Sequence, residues 1–102
     1  MRQFDVFENP SPDARRFAPY LVVLSSHHIL GFDDAVVAPL VNDSMKTVGA
    51  LEIEMVFEGQ RLVLVVSELA SMASHNLRRR AGSLLAHEDD IRRALDRLFT
   101  GF

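Results

Sequence analysis

The sequence predicts a mainly β domain closed by one C-terminal amphipathic α-helix. Three observations carry this prediction. Residues 51–57 alternate apolar and acidic side chains, residues 60–66 are almost wholly apolar, and Glu58-Gly59 between them supplies a reversal, which together read as a β-hairpin. After residue 88 the apolar period changes from two to 3.6, with Ile91, Ala94, Leu95, Leu98 and Phe99 on one stripe. Finally, 102 residues with 48% hydrophobic and 25% charged content suit one small core, so residues 1–102 are expected to form a single domain.

Taken in order, Gln3–Glu8 alternates around Phe4 and Val6 as a short strand. Asn9-Pro10-Ser11-Pro12-Asp13 follows as a loop, because its prolines remove donors and force extended neighbours. Pro19-Tyr20-Leu21-Val22-Val23-Leu24 has the β-branched content of a strand, carried out through Ser25-Ser26-His27-His28 to Gly31. Val36–Val41 is a further strand, and Pro39 predicts an edge or bulged position for it. Asn42-Asp43-Ser44 is the turn after it. The hairpin comes next; its apolar second arm is expected to be covered on both faces. The helix closes the series, with Glu88–Arg92 and Asp89–Arg93 as i,i+4 ion pairs and Gly101 as the terminating residue.

Composition removes several function classes. The absence of cysteine excludes disulfide frameworks, thiolate zinc sites and thiol catalysis. The four histidines lack metal-motif spacing and the five glycines are scattered, so neither a metal, a cofactor nor a phosphate loop is expected. A net charge of −3 argues against direct nucleic-acid binding. No apolar run has the length of a membrane span and the polar start resembles no secretory signal, so a cytoplasmic protein is expected. Adjacent His27 and His28 point to opposite faces of extended chain and read as ordinary surface side chains or a partner contact. His75 and His87 are isolated. Arg78-Arg79-Arg80, the one basic run, reads either as a solvated face or as an anion contact. Phe102 beside Gly101 reads either as a clasp folded over Leu98 or as an aromatic anchor for a partner's pocket.

The order of these pieces resembles the CcdB family of toxins from bacterial toxin–antitoxin modules. The resemblance rests on Gln3-Phe4-Asp5-Val6-Phe7, on Pro19–Ser26 followed by Val36-Val37-Ala38-Pro39-Leu40, and on Glu68-Leu69-Ala70-Ser71-Met72. Its most specific stretch is Glu88–Phe99 ending in Thr100-Gly101-Phe102. It spans essentially the whole chain. The resemblance implies an SH3-like β-barrel with a small additional sheet and a C-terminal helix, assembled as a homodimer, with no enzymatic activity. It implies binding to the A subunit of DNA gyrase, trapping of the gyrase–DNA cleavage complex, and neutralisation by an antitoxin with a disordered C-terminal segment. Carried over residue by residue, the gyrase contact falls on Thr100, Gly101 and Phe102, with Asp96, Phe99, His28 and Ile29 on the same surface. A dimer interface falls on Leu98, Phe102, Leu69 and Met72.

Here the chain departs from the family's ending, Trp-Gly-Ile in its best-known member, where the Trp stacks on a gyrase arginine. Thr100 cannot stack on a guanidinium, and loss of such an anchor costs about 2–4 kcal/mol. Phe102 supplies an aromatic two positions later. Two other readings follow: a protein of this fold that binds an antitoxin but has lost gyrase or acts on another target, and an RNA endonuclease using His75 with Arg78–Arg80.

Overall fold

In the computed structural model, residues 1–26, 33–42 and 49–101 are described. They form seven strands and one helix: β1 (Asp5–Glu8), β2 (Tyr20–Val23), β3 (Asp34–Asn42), β4 (Glu52–Phe57), β5 (Gln60–Val65), β6 (Ala70–Ala73), β7 (Arg80–Ser83) and α1 (Glu88–Thr100). Every pairing is antiparallel. The strand order is β4-β5-β3-β2-β1-β7, with β6 on β3, and the sheet curls into a half-barrel with α1 packed on its inner face. The mainly β class with its terminal helix is as predicted. His27, His28, Ile29 and Gly31, most of the turn after residue 42, and Phe102 lie outside the described residues.

The hairpin forms as expected. Phe57 pairs with Gln60, leaving two turn residues, Glu58 at φ 52° and Gly59 at φ 75°. Positive φ at both is the type I′ geometry whose twist matches the strands it joins. Glu54 and Arg61 form an ion pair across the hairpin. In β5, Leu62 and Leu64 point into the main core while Val63 and Val65 fill a cluster on the opposite face. All four are fully buried, which is why this arm carries no polar alternation.

Pro39 corrects an expectation. It lies in the most central strand, not at an edge. β3 pairs with β2 along one side, from Tyr20↔Leu40 to Val23↔Val37. Along its other side it pairs with β6 over residues 34–37 and with β5 over residues 40–42. The Leu24 N–H donates to the Val36 carbonyl at 2.8 Å, which by antiparallel alternation turns the even-numbered β3 amides toward β2 and the odd-numbered ones away. The missing N–H of Pro39 therefore faces the gap where β6 has ended and β5 has not begun. No ladder bond is lost there.

Two strands in the last third of the chain, β6 and β7, were not anticipated. Each has four residues (Ala-Ser-Met-Ala and Arg-Ala-Gly-Ser) with little β propensity of their own. Pairing with β3 and β1 makes them strands. On β7, Gly82 opposes Val6 and Arg80 opposes Phe7, so Ala81 is an extra, bulged residue.

The two ends of the strand order meet. Phe57, at the end of β4, sets its ring 5.0 Å from that of Tyr20 in an edge-on arrangement. The same ring presses on β7: a Cβ at Gly82 would stand 3.0 Å from Phe57 Cε1 and Cζ. A glycine is required at this approach.

In α1, Ile91 and Ala94 are buried, and Leu95 and Leu98 pack partly buried on the same core. Phe99 leaves the stripe and is 70% exposed. Glu88 pairs with Arg92 at 2.9 Å as expected. Arg93 meets Asp90 at 3.5 Å and not Asp89, because a residue three back is as near on the helix surface as one four back. Gly101 ends the helix in the left-handed region (φ 80°), its N–H donating to the Arg97 carbonyl. Near the helix start, Phe4 is buried at φ 71°. That strained backbone is held from both sides, its N–H donating to the Val23 carbonyl at 2.6 Å and its carbonyl accepting from the Leu84 N–H at 2.8 Å. The Arg92 guanidinium carbon lies 5.5 Å from the centre of the Phe4 ring.

Gly82→Ala is expected to force the Phe57 ring out of place and to destabilise the fold by about 1–3 kcal/mol. Thermal or urea unfolding of the variant checks this; an unchanged midpoint would mean the sheet ends do not depend on the contact.

Candidate functional site

The last turns of α1 present an exposed surface. Asp96, Phe99, Thr100 and Gly101 are all exposed. Asp96, Phe99 and Thr100 share one side of the helix by their i, i+3, i+4 spacing. The Thr100 hydroxyl donates to the Asp96 carbonyl at 2.5 Å, so it satisfies a helix-end acceptor. Phe99 is the most exposed large hydrophobic side chain among the described residues. A phenyl ring largely in water on a helix, flanked by a carboxylate, has the composition of an interface anchor. Its apolar spacing assigns it to the buried stripe and the resemblance assigns it to the contact surface; in the structure it is exposed, about 100° round the helix from Leu98, which still packs on the core.

Of the other expected surface residues, His28, Ile29 and Phe102 lie outside the described residues. Leu69 and Leu98 are half-buried against the main core, whereas Met72 packs on the cluster at the sheet's other face.

The arginine run divides. Arg80 pairs at 3.2 Å with Asp5, whose side chain is 7% exposed; the second Asp5 oxygen accepts the Arg2 N–H at 2.9 Å. This cation is therefore structural. Arg78 and Arg79 line an open cleft of about 260 Å³ with Arg15, Glu8, Pro10 and Asn76. Arg78 Nε donates to the His75 carbonyl at 3.3 Å, so the link to His75 is through its backbone, and its imidazole does not line the cleft. Alternation in extended chain would put Arg78 with Arg80 and Arg79 opposite, so it does not give this split; the ion pair of Arg80 with Asp5 does.

Among the described residues, no group of three or more His, Asp or Glu side chains could hold a metal ion. No helix there is long and apolar enough to cross a membrane.

A family model described as "CcdB protein" matches residues 3–101. Among solved structures, the chain is similar to one described as "Crystal structure of Mtb toxin", with a TM-score of 0.67 and 20% identity over 78% of this chain and 91% of that chain. At that identity the likeness is one of fold. A search of curated proteins gives no match.

Arg80→Ala strands a buried carboxylate with one remaining backbone donor and is expected to cost about 1–3 kcal/mol. Phe99→Ala, at an exposed site, is expected to change stability by no more than about 0.5 kcal/mol. Chemical denaturation of the two variants side by side distinguishes the structural cation from the surface ring.

Proposed function

The chain belongs to the CcdB family, and from that premise we propose that it is the toxin of a toxin–antitoxin module that binds the A subunit of DNA gyrase and traps the gyrase–DNA cleavage complex. The observation that carries this reading is Phe99, 70% exposed on the last turn of α1 beside Asp96 and Thr100. The family's Trp position is Thr100, one residue along, a step of ~100° around and 1.5 Å along the helix. Phe99 is thus the helix-borne aromatic that can take over stacking on a guanidinium, and Asp96 adds a carboxylate for the same cation.

The action is one of binding, without a catalytic step. A ligand that prefers the cleaved state of gyrase over the resealed state shifts that equilibrium by its difference in affinity for the two. An antitoxin whose disordered C-terminal segment folds over the end of α1 competes for the same ring, and by linkage each partner weakens the other's hold equally. The protein acts as a homodimer in the cytoplasm. Leu69 and Leu98, which the resemblance assigns to the dimer interface, are only half-buried against the core and so keep apolar surface for a symmetric partner.

The bond from the Thr100 hydroxyl to the Asp96 carbonyl favours a second reading. With its hydroxyl bonded to its own helix, Thr100 offers nothing that stacks on a guanidinium at the family's Trp position, as expected of a member that keeps its antitoxin and has left gyrase for another target.

Induced expression is expected to arrest growth, and the purified protein to accumulate cleaved DNA with gyrase. Phe99→Ala is expected to weaken the gyrase complex about 30-fold or more, equivalent to ~2 kcal/mol, with its unfolding midpoint unchanged. Growth-neutral expression of folded protein would overturn the gyrase reading, and antitoxin capture without gyrase would establish the second one. Light scattering at micromolar concentration is expected to give twice the 11.5 kDa chain mass; a monomer mass would remove the dimer.

A further inference from the structure

The cleft beside Arg78 and Arg79 is built from three separate pieces of chain, none of them in α1. Glu8 and Pro10 come from the end of β1 and the loop after it, and Arg15 from the 3-10 turn Ala14–Arg16. Asn76, Arg78 and Arg79 come from the segment before β7. These pieces are tied together. The Glu8 N–H donates to the Arg79 carbonyl at 2.8 Å, and Leu77 is buried between Asn76 and Arg78. Arg15 is held by Nε donating to the Asn9 carbonyl at 2.5 Å and by Nη1 at 3.4 Å from Glu8 Oε1.

The charges in this cleft do not balance. Three guanidinium groups face one carboxylate, in a chain whose net charge is −3. Glu8 is engaged with Arg15, and among the described residues no carboxylate pairs with Arg78 or Arg79. Arg78 uses Nε on the His75 carbonyl, which orients its fork and leaves the terminal nitrogens for another acceptor. Converging cations repel one another until an anion enters.

We propose that this cleft binds a single phosphate group, held by the forks of Arg78 and Arg79 with the Asn76 amide, while Glu8 keeps Arg15 in place. A phosphate dianion has enough oxygens to accept from two planar forks at once, the pairing for which guanidinium geometry is suited. A carboxylate has two oxygens, and the cleft already holds one in Glu8. A nucleic-acid backbone is disfavoured by the Glu8 carboxylate on the wall and by the chain's net charge of −3.

The test is a titration of the full chain with inorganic phosphate, followed by amide NMR at constant ionic strength set with sodium chloride. Saturable shifts are expected at Glu8, Asn76, Leu77, Arg78 and Arg79. The double substitution Arg78→Gln with Arg79→Gln is expected to weaken binding at least tenfold with an unchanged unfolding midpoint, since both side chains are exposed. Arg97→Gln, which removes the same kind of charge from α1, is expected to leave binding within twofold. Absence of saturation, or an equal loss in Arg97→Gln, overturns the proposal. Equal binding of succinate overturns it in favour of a carboxylate site, and tighter binding of a short DNA strand than of phosphate overturns it in favour of a backbone groove.

Discussion

The whole architecture turns on where the Phe57 ring can go. Twist and the β1–β7 bulge curl a seven-stranded antiparallel sheet, and contacts between its ends fix how far the curl goes. Here one ring from β4 sits edge-on to Tyr20 of β2 and brings Cε1 and Cζ against Gly82 on β7. The curl so fixed makes a concave inner face, and Phe4, Leu40, Leu62, Leu64 and Ile91 fill it. Because Ile91 and Ala94 of α1 belong to the same core, the helix axis is set by the curl. Leu95 and Leu98 pack on that core, while Phe99, a step of about 100° round the helix from Leu98, stands in solvent.

Much of this was readable from periodicity because the features concerned are local. A two-residue turn with positive φ and a 3.6-residue stripe are properties of adjacent residues, so the hairpin and α1 stood out in the sequence. Pro39 was misread for the opposite reason. Whether a proline breaks a sheet depends on which strand lies opposite its missing N–H, and β6 and β5 come from residues more than 20 positions away. β6 and β7 were invisible for the same cause, being short, poor in β-branched residues and strands only by virtue of their partners.

The candidate surface was legible by resemblance and incompletely by residue. Asp96, Thr100 and Gly101 stand exposed where the resemblance puts them. For Phe99, apolar spacing points to the core and the resemblance to the contact surface, and the sequence does not choose between them because exposure at the end of a helix depends on the core beneath it. The arginine run shows a similar limit. Its three members look alike in sequence, yet a buried Asp5 singles out Arg80, and Asp5 is 75 residues away. The two regions are physically separate: the end of α1 offers an aromatic and a carboxylate, and the cleft offers unneutralised guanidinium groups.

The pairing of β1 with β7 has a consequence for the order in which the molecule comes into being. It joins residues 5–8 to residues 80–83, so its loop-closure entropy is met only when most of the chain can take part. As the chain emerges from the ribosome, β1, β2 and the 51–65 hairpin are free to associate long before their last partner arrives. They do so around an inner face still lacking Leu84, Ile91 and Ala94. The nascent chain is therefore a sticky open sheet before it is a closed domain. The surface at the end of α1 is carried by residues synthesised after all seven strands.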